Sequence, residues 1–111
     1  MIEDNIRSMA ELAKANGIRV VLCSILPAAD YPWRRGLQPA PKIAELNAWL
    51  KRYAEQSGFV YLDYHSSMAD AEGALRPEFS TDGVHPNDKG YEVMKPLAEK
   101  AIAAALAHSP Y

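Results

Sequence analysis

An acid and an imidazole stand three residues apart towards the C-terminal end of the chain, Asp82 and His85. Histidine is the usual base near neutral pH for a hydrolase with a hydroxyl nucleophile, and a carboxylate on its second ring nitrogen holds it in one tautomer. Gly83 between them and Pro86 after them favour a stiff turn in which the two side chains meet. The spacing predicts a catalytic pair, and an ordinary capped turn remains the alternative.

The wider sequence context resembles a known family. Asp82-Gly83-Val84-His85-Pro86-Asn87, followed by Gly90-Tyr91 and a helical run, resembles the last sequence block of the SGNH (GDSL-type) hydrolases. Ile18–Pro27 resembles the family's penultimate strand with its following loop, and Phe59–Asp63 its last strand. The resemblance implies a flavodoxin-like α/β/α fold and a serine esterase or acylhydrolase activity. It also implies that Asp82 and His85 are two members of a catalytic triad.

The same resemblance leaves the nucleophile open. In this family the nucleophilic serine lies in a Gly-Asp-Ser block, and a Gly and an Asn from two further blocks complete the oxyanion hole; none of these blocks occurs here. The sequence is therefore expected to be the C-terminal portion of such a fold. Candidate nucleophiles are Ser24, Ser66 and Ser80, although none has a Gly-x-Ser-x-Gly context. The alternatives are a serine from another chain, or a non-catalytic, self-associating module.

Hydrophobic periodicity and stop signals predict the element order α-β-α-β-α, with parallel strands and right-handed crossovers. This is a truncated flavodoxin-like three-layer α/β/α arrangement in a single domain, residues 1–111. The predicted elements are a helix over 2–16, a strand Ile18–Ile25, a helix Lys42–Ser57, a strand Phe59–Asp63, a short helix Met68–Glu72 and a helix Asn87–Ala107. Gly58 is expected to stop the second helix, and Asn87 is a candidate cap for the last one.

The apolar pattern also predicts what is buried. The first strand is apolar on both faces, as in a buried parallel strand, and Cys23 within it is expected to be a small core residue. Pro96 should kink or split the last helix near Met94, and His108 beyond its last turns is given no role. Buried helix stripes are predicted at Ile2, Ile6, Met9, Ala10 and Ala13, at Ile43, Leu46, Trp49, Leu50 and Tyr53, and at Val93, Leu97, Ala101 and Leu106.

A long loop, Leu26–Pro41, follows the first strand and contains four prolines. Loops after strands in open α/β sheets line the ligand crevice, so Tyr31 and Trp33 are candidates for a substrate-contacting wall. An aromatic cluster internal to the loop is the alternative. Arg34 and Arg35 are expected to be solvated charges. The implied substrate is a small ester, either an acyl ester or an acetylated carbohydrate.

Composition excludes several other classes. With 111 residues and a net charge of −2, the chain shows no signal for binding nucleic acid or an anionic membrane. No apolar run approaches the ~20 residues of a membrane span, and the amphipathic N-terminus lacks a signal-peptide core, which leaves the compartment open. One cysteine excludes an intrachain disulfide.

No cofactor or metal is predicted either. No Gly-rich phosphate loop follows either strand. Asp63 and His65 lack further ligands at a recognisable spacing, so Asp63 or Ser67 is expected to cap a short helix instead.

The last expectation concerns assembly. Two strands make a poor sheet core, and the resemblance implies a neighbour on the free side of the first strand. An exposed apolar edge is therefore expected, and such an edge is a template for pairing with another chain. The sequence predicts a homo-oligomer formed through this edge.

Overall fold

The computed structural model describes residues 1–107, so His108 lies outside the described residues. Strands β1 and β2 form a parallel pair with Leu22 opposite Tyr61. This confirms a parallel α/β arrangement, truncated to two strands within the described residues. The elements are α1 (Ile2–Ala15), β1 (Val21–Cys23), α2 (Ala40–Ser57), β2 (Val60–Leu62), α3 (Tyr64–Met68), a 3-10 helix (Pro77–Phe79) and α4 (Asp88–Ala107).

The main core cluster joins α1, α2 and the sheet. It consists of buried Ala10, Leu22, Tyr53, Ala54 and Phe59. The Tyr53 ring packs edge-on against Phe59 at a centroid distance of 5.7 Å. Gly58, in the left-handed conformation with φ of 74°, ends α2 as predicted and turns the chain into β2. Helix α4 contacts both strands, so helices pack against the sheet as the predicted layers require.

The strands are shorter than predicted. The expected strand Ile18–Ile25 is reduced to Val21–Cys23, and Phe59–Asp63 to Val60–Leu62. Ile18 is 58% exposed and Ile25 is 40% exposed. Because the ladder within the described residues has two strands, β1 is paired on one side and is not the fully buried strand that its sequence predicts. The prediction that Cys23 is a core residue is wrong, since it is exposed.

The predicted helix stripes are only partly buried. In α1, Ala10 is buried, but Ile2 is 60% and Met9 is 63% exposed. In α4, Ala101 is buried whereas Leu106 is 63% exposed. The stripe of α2 is covered best, with Ile43, Leu50 and Tyr53 buried. The exposed members lie on faces that the described residues leave uncovered, which periodicity alone could not reveal.

Two local predictions also need correction. The short helix lies at Tyr64–Met68 rather than Met68–Glu72, because the Asp63 side chain caps it directly after β2 by accepting a hydrogen bond from the Ser66 amide at 3.0 Å. Pro96 was predicted to kink or split α4 near Met94; the helix runs through Pro96 without interruption, so it is not split, and the kink stays a prediction.

A close contact at Gly90 fixes the segment that precedes α4. A Cβ on Gly90 would lie 2.9 Å from the Phe79 carbonyl oxygen and 3.0 Å from the Pro86 Cβ. The Asn87 amide donates to the same Phe79 carbonyl at 2.7 Å. Its Oδ1 accepts a hydrogen bond from the Gly90 amide at 3.0 Å, the capping role predicted for Asn87. The start of α4 therefore holds the chain at both ends of the stretch that contains Asp82 and His85.

We predict that Gly90→Ala lowers the free energy of unfolding. The added methyl group meets backbone and a proline ring, neither of which moves easily, so overpacking should cost about 1–3 kcal/mol despite the better helix propensity of alanine. Urea denaturation followed by circular dichroism measures the change. Lys89→Ala, an exposed neighbour in the same turn, is the control and should change stability by less than about 0.5 kcal/mol. Equal stability of Gly90→Ala and wild type would contradict the close contact.

Candidate active site

Asp82 and His85 meet as their spacing predicts. Asp82 Oδ2 lies 2.7 Å from His85 Nδ1. The other carboxylate oxygen, Oδ1, accepts hydrogen bonds from the backbone amides of Val84 and His85, both at 2.8 Å. The Asp82 side chain therefore fixes both the backbone of the turn and the imidazole ring of His85. Gly83 adopts a φ of 80°, the left-handed conformation that this turn requires.

The electrostatics of the pair follow from these contacts. Hydrogen bonds from the His85 side chain and then from the His85 and Val84 amides hold the pKa of the Asp82 carboxyl well below its usual value. Asp82 is therefore ionised at neutral pH and can bind an Nδ1–H. In neutral imidazole the proton-free nitrogen is then Nε2, which is the nitrogen that can take a proton from a nucleophile. The His85 side chain is 70% exposed, so the ring is accessible.

Ser80 is built into the turn. It is buried, and its Oγ lies 2.7 Å from the His85 carbonyl oxygen and 3.1 Å from Asp82 Oδ1. The same oxygen accepts a hydrogen bond from the Gly83 amide at 2.9 Å. These contacts give Ser80 a structural role beneath the Asp82–His85 pair.

The other two serine candidates bind groups away from the imidazole. Ser24, buried just after β1, accepts a hydrogen bond from the His65 amide at 3.0 Å and so fixes the start of α3 to the sheet. Ser66 is exposed, and its Oγ donates to Asp63 at 2.5 Å. The hydrogen bonds described for all three hydroxyls are thus directed to backbone or carboxylate groups.

The structure brings Trp33 to the pair, with Tyr31 stacked on it. Their rings stack at a centroid distance of 5.4 Å, and the Trp33 ring lies 5.7 Å from the His85 ring with a tilt of 37°. Trp33 is 63% exposed. Arg34 and Arg35 are also exposed, as predicted. The loop after β1 therefore contains its own aromatic stack and places the Trp33 ring of that stack beside the imidazole.

Two polar residues that position this loop were missed. Asn47 is buried on α2, where its amide donates to the Ile25 carbonyl at 3.0 Å and accepts from the Ile25 amide at 2.7 Å. Asp30 accepts amide hydrogen bonds from Tyr31 at 2.9 Å and from Gly36 at 3.0 Å. The sequence could have indicated Asn47, because it is a polar residue on the otherwise apolar stripe of α2. An aspartate before a glycine-containing turn was the signal for Asp30.

Among residues 1–107, no group of three or more His, Cys, Asp or Glu side chains could hold a metal ion. Over the same residues, no helix combines the length and apolarity needed to cross a membrane.

Solved structures resemble this chain closely. A candidate acylhydrolase from Bacteroides fragilis is 48% identical over 93% of this chain, with a TM-score of 0.88. A GDSL-like lipase from Bacteroides thetaiotaomicron is 47% identical over 92%, with a TM-score of 0.87. A candidate lipolytic protein of the G-D-S-L family from Desulfitobacterium hafniense is 26% identical over 89%, with a TM-score of 0.72. A comparison with curated proteins found no match.

The matches cover nearly all of this chain but only about half of each of the two Bacteroides structures. This chain covers 50% of the Bacteroides fragilis structure and 51% of the Bacteroides thetaiotaomicron structure, so it spans about half of their length. The sequence profile of the GDSL-like lipase/acylhydrolase family matches residues 1–93, which include both strands and the Asp82–His85 turn. The chain belongs to the GDSL-like lipase/acylhydrolase family.

Proposed function

We propose that this chain supplies the general base and the orienting acid of a serine ester hydrolase, His85 and Asp82. The observation that carries the proposal is the 2.7 Å contact between Asp82 Oδ2 and His85 Nδ1 on an accessible ring. Family membership supports a hydrolase of the GDSL type. The pair has the chemistry that acyl transfer from a hydroxyl nucleophile requires.

The proposed reaction has two steps. In the first, a serine hydroxyl attacks the ester carbonyl carbon while its proton passes to Nε2 of His85. The tetrahedral intermediate then expels the alcohol, which takes that proton and leaves an acyl-enzyme. In the second, water attacks the acyl carbon while its proton passes to Nε2 of His85, and this proton moves to the serine oxygen as the acyl–serine bond breaks and the acid leaves. Asp82 remains ionised throughout and stabilises the imidazolium.

We propose that the nucleophile comes from outside the sequence described here, in a further part of the polypeptide or another chain. The hydrogen bonds described for Ser24, Ser66 and Ser80 support this, because they are directed away from the imidazole. Without that serine, water is the nucleophile that His85 can activate, and without the oxyanion donors hydrolysis by this chain alone should be slow, since loss of a single oxyanion donor costs roughly a hundredfold or more.

The proposed substrates are small esters, either acyl esters or acetylated carbohydrates. The Tyr31–Trp33 stack supports this class, because its Trp33 ring is exposed and lies beside His85. Flat aromatic surfaces bind apolar groups and the apolar faces of sugars, with little loss of side-chain entropy. Tyr31 and Trp33 would form one wall of the ester site, and neither a metal nor an organic cofactor enters the proposed reaction.

A second candidate function is a self-associating module that retains the pair without using it. A groove of about 470 Å³ beside the free edge of β1 supports this, since Met9, Val21 and Cys23 line it. Met9 and Cys23 are exposed. Parallel pairing or helix packing across this edge would form a homo-oligomer. Such an oligomer is compatible with either function.

Hydrolysis of a short-chain nitrophenyl ester tests the catalytic proposal. With water as the nucleophile, wild type should turn over the ester slowly, and His85→Ala should lower the rate by about a hundredfold or more because the base is lost. His65→Ala, which removes a histidine outside the proposed pair, is the matched control and should retain the wild-type rate. Equal rates for wild type and His85→Ala would contradict the proposal.

Covalent labelling then locates the nucleophile. A fluorophosphonate reacts with an activated serine, so the proposal expects no labelling of Ser24, Ser66 or Ser80 in the isolated chain. Labelling of one of them, lost when that serine is changed to alanine, would place the nucleophile within the chain.

Light scattering tests self-association. We predict that the wild type forms a homo-oligomer whose mass falls on dilution, and that Met9→Lys weakens it by placing a charge in the apolar groove. Ser8→Lys, an exposed neighbour on the same helix, is the control and should associate as wild type does. A sharp monomer peak for wild type at all concentrations would count against the edge as an interface.

A further inference from the structure

We infer that Asp30 is a positioning residue whose carboxylate holds Trp33 against the His85 ring. Asp30 Oδ1 accepts hydrogen bonds from the Tyr31 amide at 2.9 Å and from the Gly36 amide at 3.0 Å, and Oδ2 lies 3.2 Å from the same Gly36 nitrogen. These bonds join the two ends of a tight loop of residues 30–36, which we call the Asp30 loop. Trp33 lies at its centre.

Hydrogen bonds rather than burial define the Asp30 loop. Trp33 is 63% exposed, so a surrounding core does not fix its ring. Inside the loop the Arg34 amide donates to the Tyr31 carbonyl at 3.2 Å, which closes a turn around Trp33. The Tyr31 ring then stacks on Trp33 at 5.4 Å. The position of the indole thus depends on the hydrogen bonds that shape the loop. Asp30 accepts the hydrogen bonds at the two ends of the loop, from the Tyr31 and Gly36 amides.

The backbone of the loop suits this role. Gly36 has a φ of +90°, and an added Cβ would meet nothing within 4 Å, so the left-handed backbone rather than steric space calls for glycine here. That conformation lets the chain fold back and direct the Gly36 N–H towards Asp30. Before the loop, Asn47 on α2 holds Ile25 through both its backbone groups. The loop is therefore fixed to the helix at its root and closed by Asp30.

The position of Trp33 affects the His85 ring. Its ring is held by Asp82 at one nitrogen and is faced by Trp33 at a centroid distance of 5.7 Å. When the ring carries a second proton, the indole lies within the ~6 Å at which a cation and an aromatic face attract. Trp33 would thus help to orient the imidazole and to stabilise the imidazolium that forms during acyl transfer. This catalytic consequence rests on the proposed function, whereas the contact itself does not.

Tryptophan fluorescence tests the contact without any need for activity. In Trp49→Phe, Trp33 is the only tryptophan that remains. A protonated imidazole quenches a neighbouring indole, so acidification that adds a second proton to the His85 ring should lower the emission of Trp33. Arg34 and Arg35 follow Trp33 in the sequence, and Asp82 stays ionised because its hydrogen bonds hold its pKa well below the usual value. Adding His85→Gln should abolish the fluorescence transition, which assigns the transition to His85 rather than to His65. A transition that survives His85→Gln, or none at all, would overturn the inference.

Substitutions of Asp30 then test its positioning role. Asp30→Ala removes the acceptor for both amides, and the fluorescence transition should lose most of its amplitude. Asp30→Asn keeps one oxygen, and because Oδ1 already accepts both bonds in the wild type, it should retain most of the amplitude. If the loop depended on the negative charge of Asp30 rather than on hydrogen bonds to its oxygen, Asp30→Asn would lose the fluorescence transition as Asp30→Ala does. Equal amplitudes in Asp30→Ala and wild type would likewise contradict the positioning role.

Nuclear magnetic resonance on the unaltered chain covers the case in which Asp30→Ala does not fold. Protons of the Trp33 indole should show nuclear Overhauser effects to the His85 ring, and the Gly36 amide should exchange slowly for an exposed loop. Rapid exchange of Gly36, or no effect between the rings, would overturn the inference.

Kinetics separate this inference from the proposed function. If esters are hydrolysed, Asp30→Ala should lower kcat/KM by roughly tenfold or more, since small displacements of catalytic groups are costly, and Asp30→Asn should recover most of the loss. If wild type is inert while the fluorescence results hold, the proposed function fails and the Asp30 loop stands.

Discussion

The carboxylate of Asp82 is the constraint on which the site depends. One of its oxygens binds the Val84 and His85 amides at 2.8 Å, and the other meets His85 Nδ1 at 2.7 Å. Backbone and side chain are therefore fixed by the same group, and the pair forms within four residues of chain. The contacts around Gly90 and Asn87 then fix this turn to the start of α4. A local interaction sets the geometry of the ring, and helix packing sets its place on the fold.

The sheet places that turn near the other parts of the site. Parallel strands present their carboxyl ends at one edge, so the segments after β1 and β2 emerge on the same side. The loop after β1 brings Trp33 to the His85 ring, and Ser24 at the end of β1 binds the start of α3 after β2. The Asp82–His85 pair and the Trp33 ring beside it are thus brought together from two separate segments of the chain.

The features that sequence predicted well are those set by neighbouring residues. Asp82 meets His85, Asn87 caps α4 and Gly58 ends α2, because each depends on a few adjacent positions. The features predicted poorly depend on what covers an element from elsewhere. The apolar pattern of α1 predicts that Met9 is buried, and the pattern of β1 predicts that Cys23 is buried. Both are exposed, because no part of the chain that the structure describes covers them. Asp30 was missed since its role appears only when Gly36 folds back upon it.

We propose that Asp82 holds His85 with the proton on Nδ1, which leaves Nε2 free to accept a proton. Nitrogen chemical shifts of the neutral His85 ring test this most directly, because protonated and proton-free ring nitrogens differ strongly. We expect a protonated Nδ1 and a proton-free Nε2, and a loss of this preference in Asp82→Ala. A neutral ring with its proton on Nε2, or the same tautomer distribution in Asp82→Ala, would contradict it.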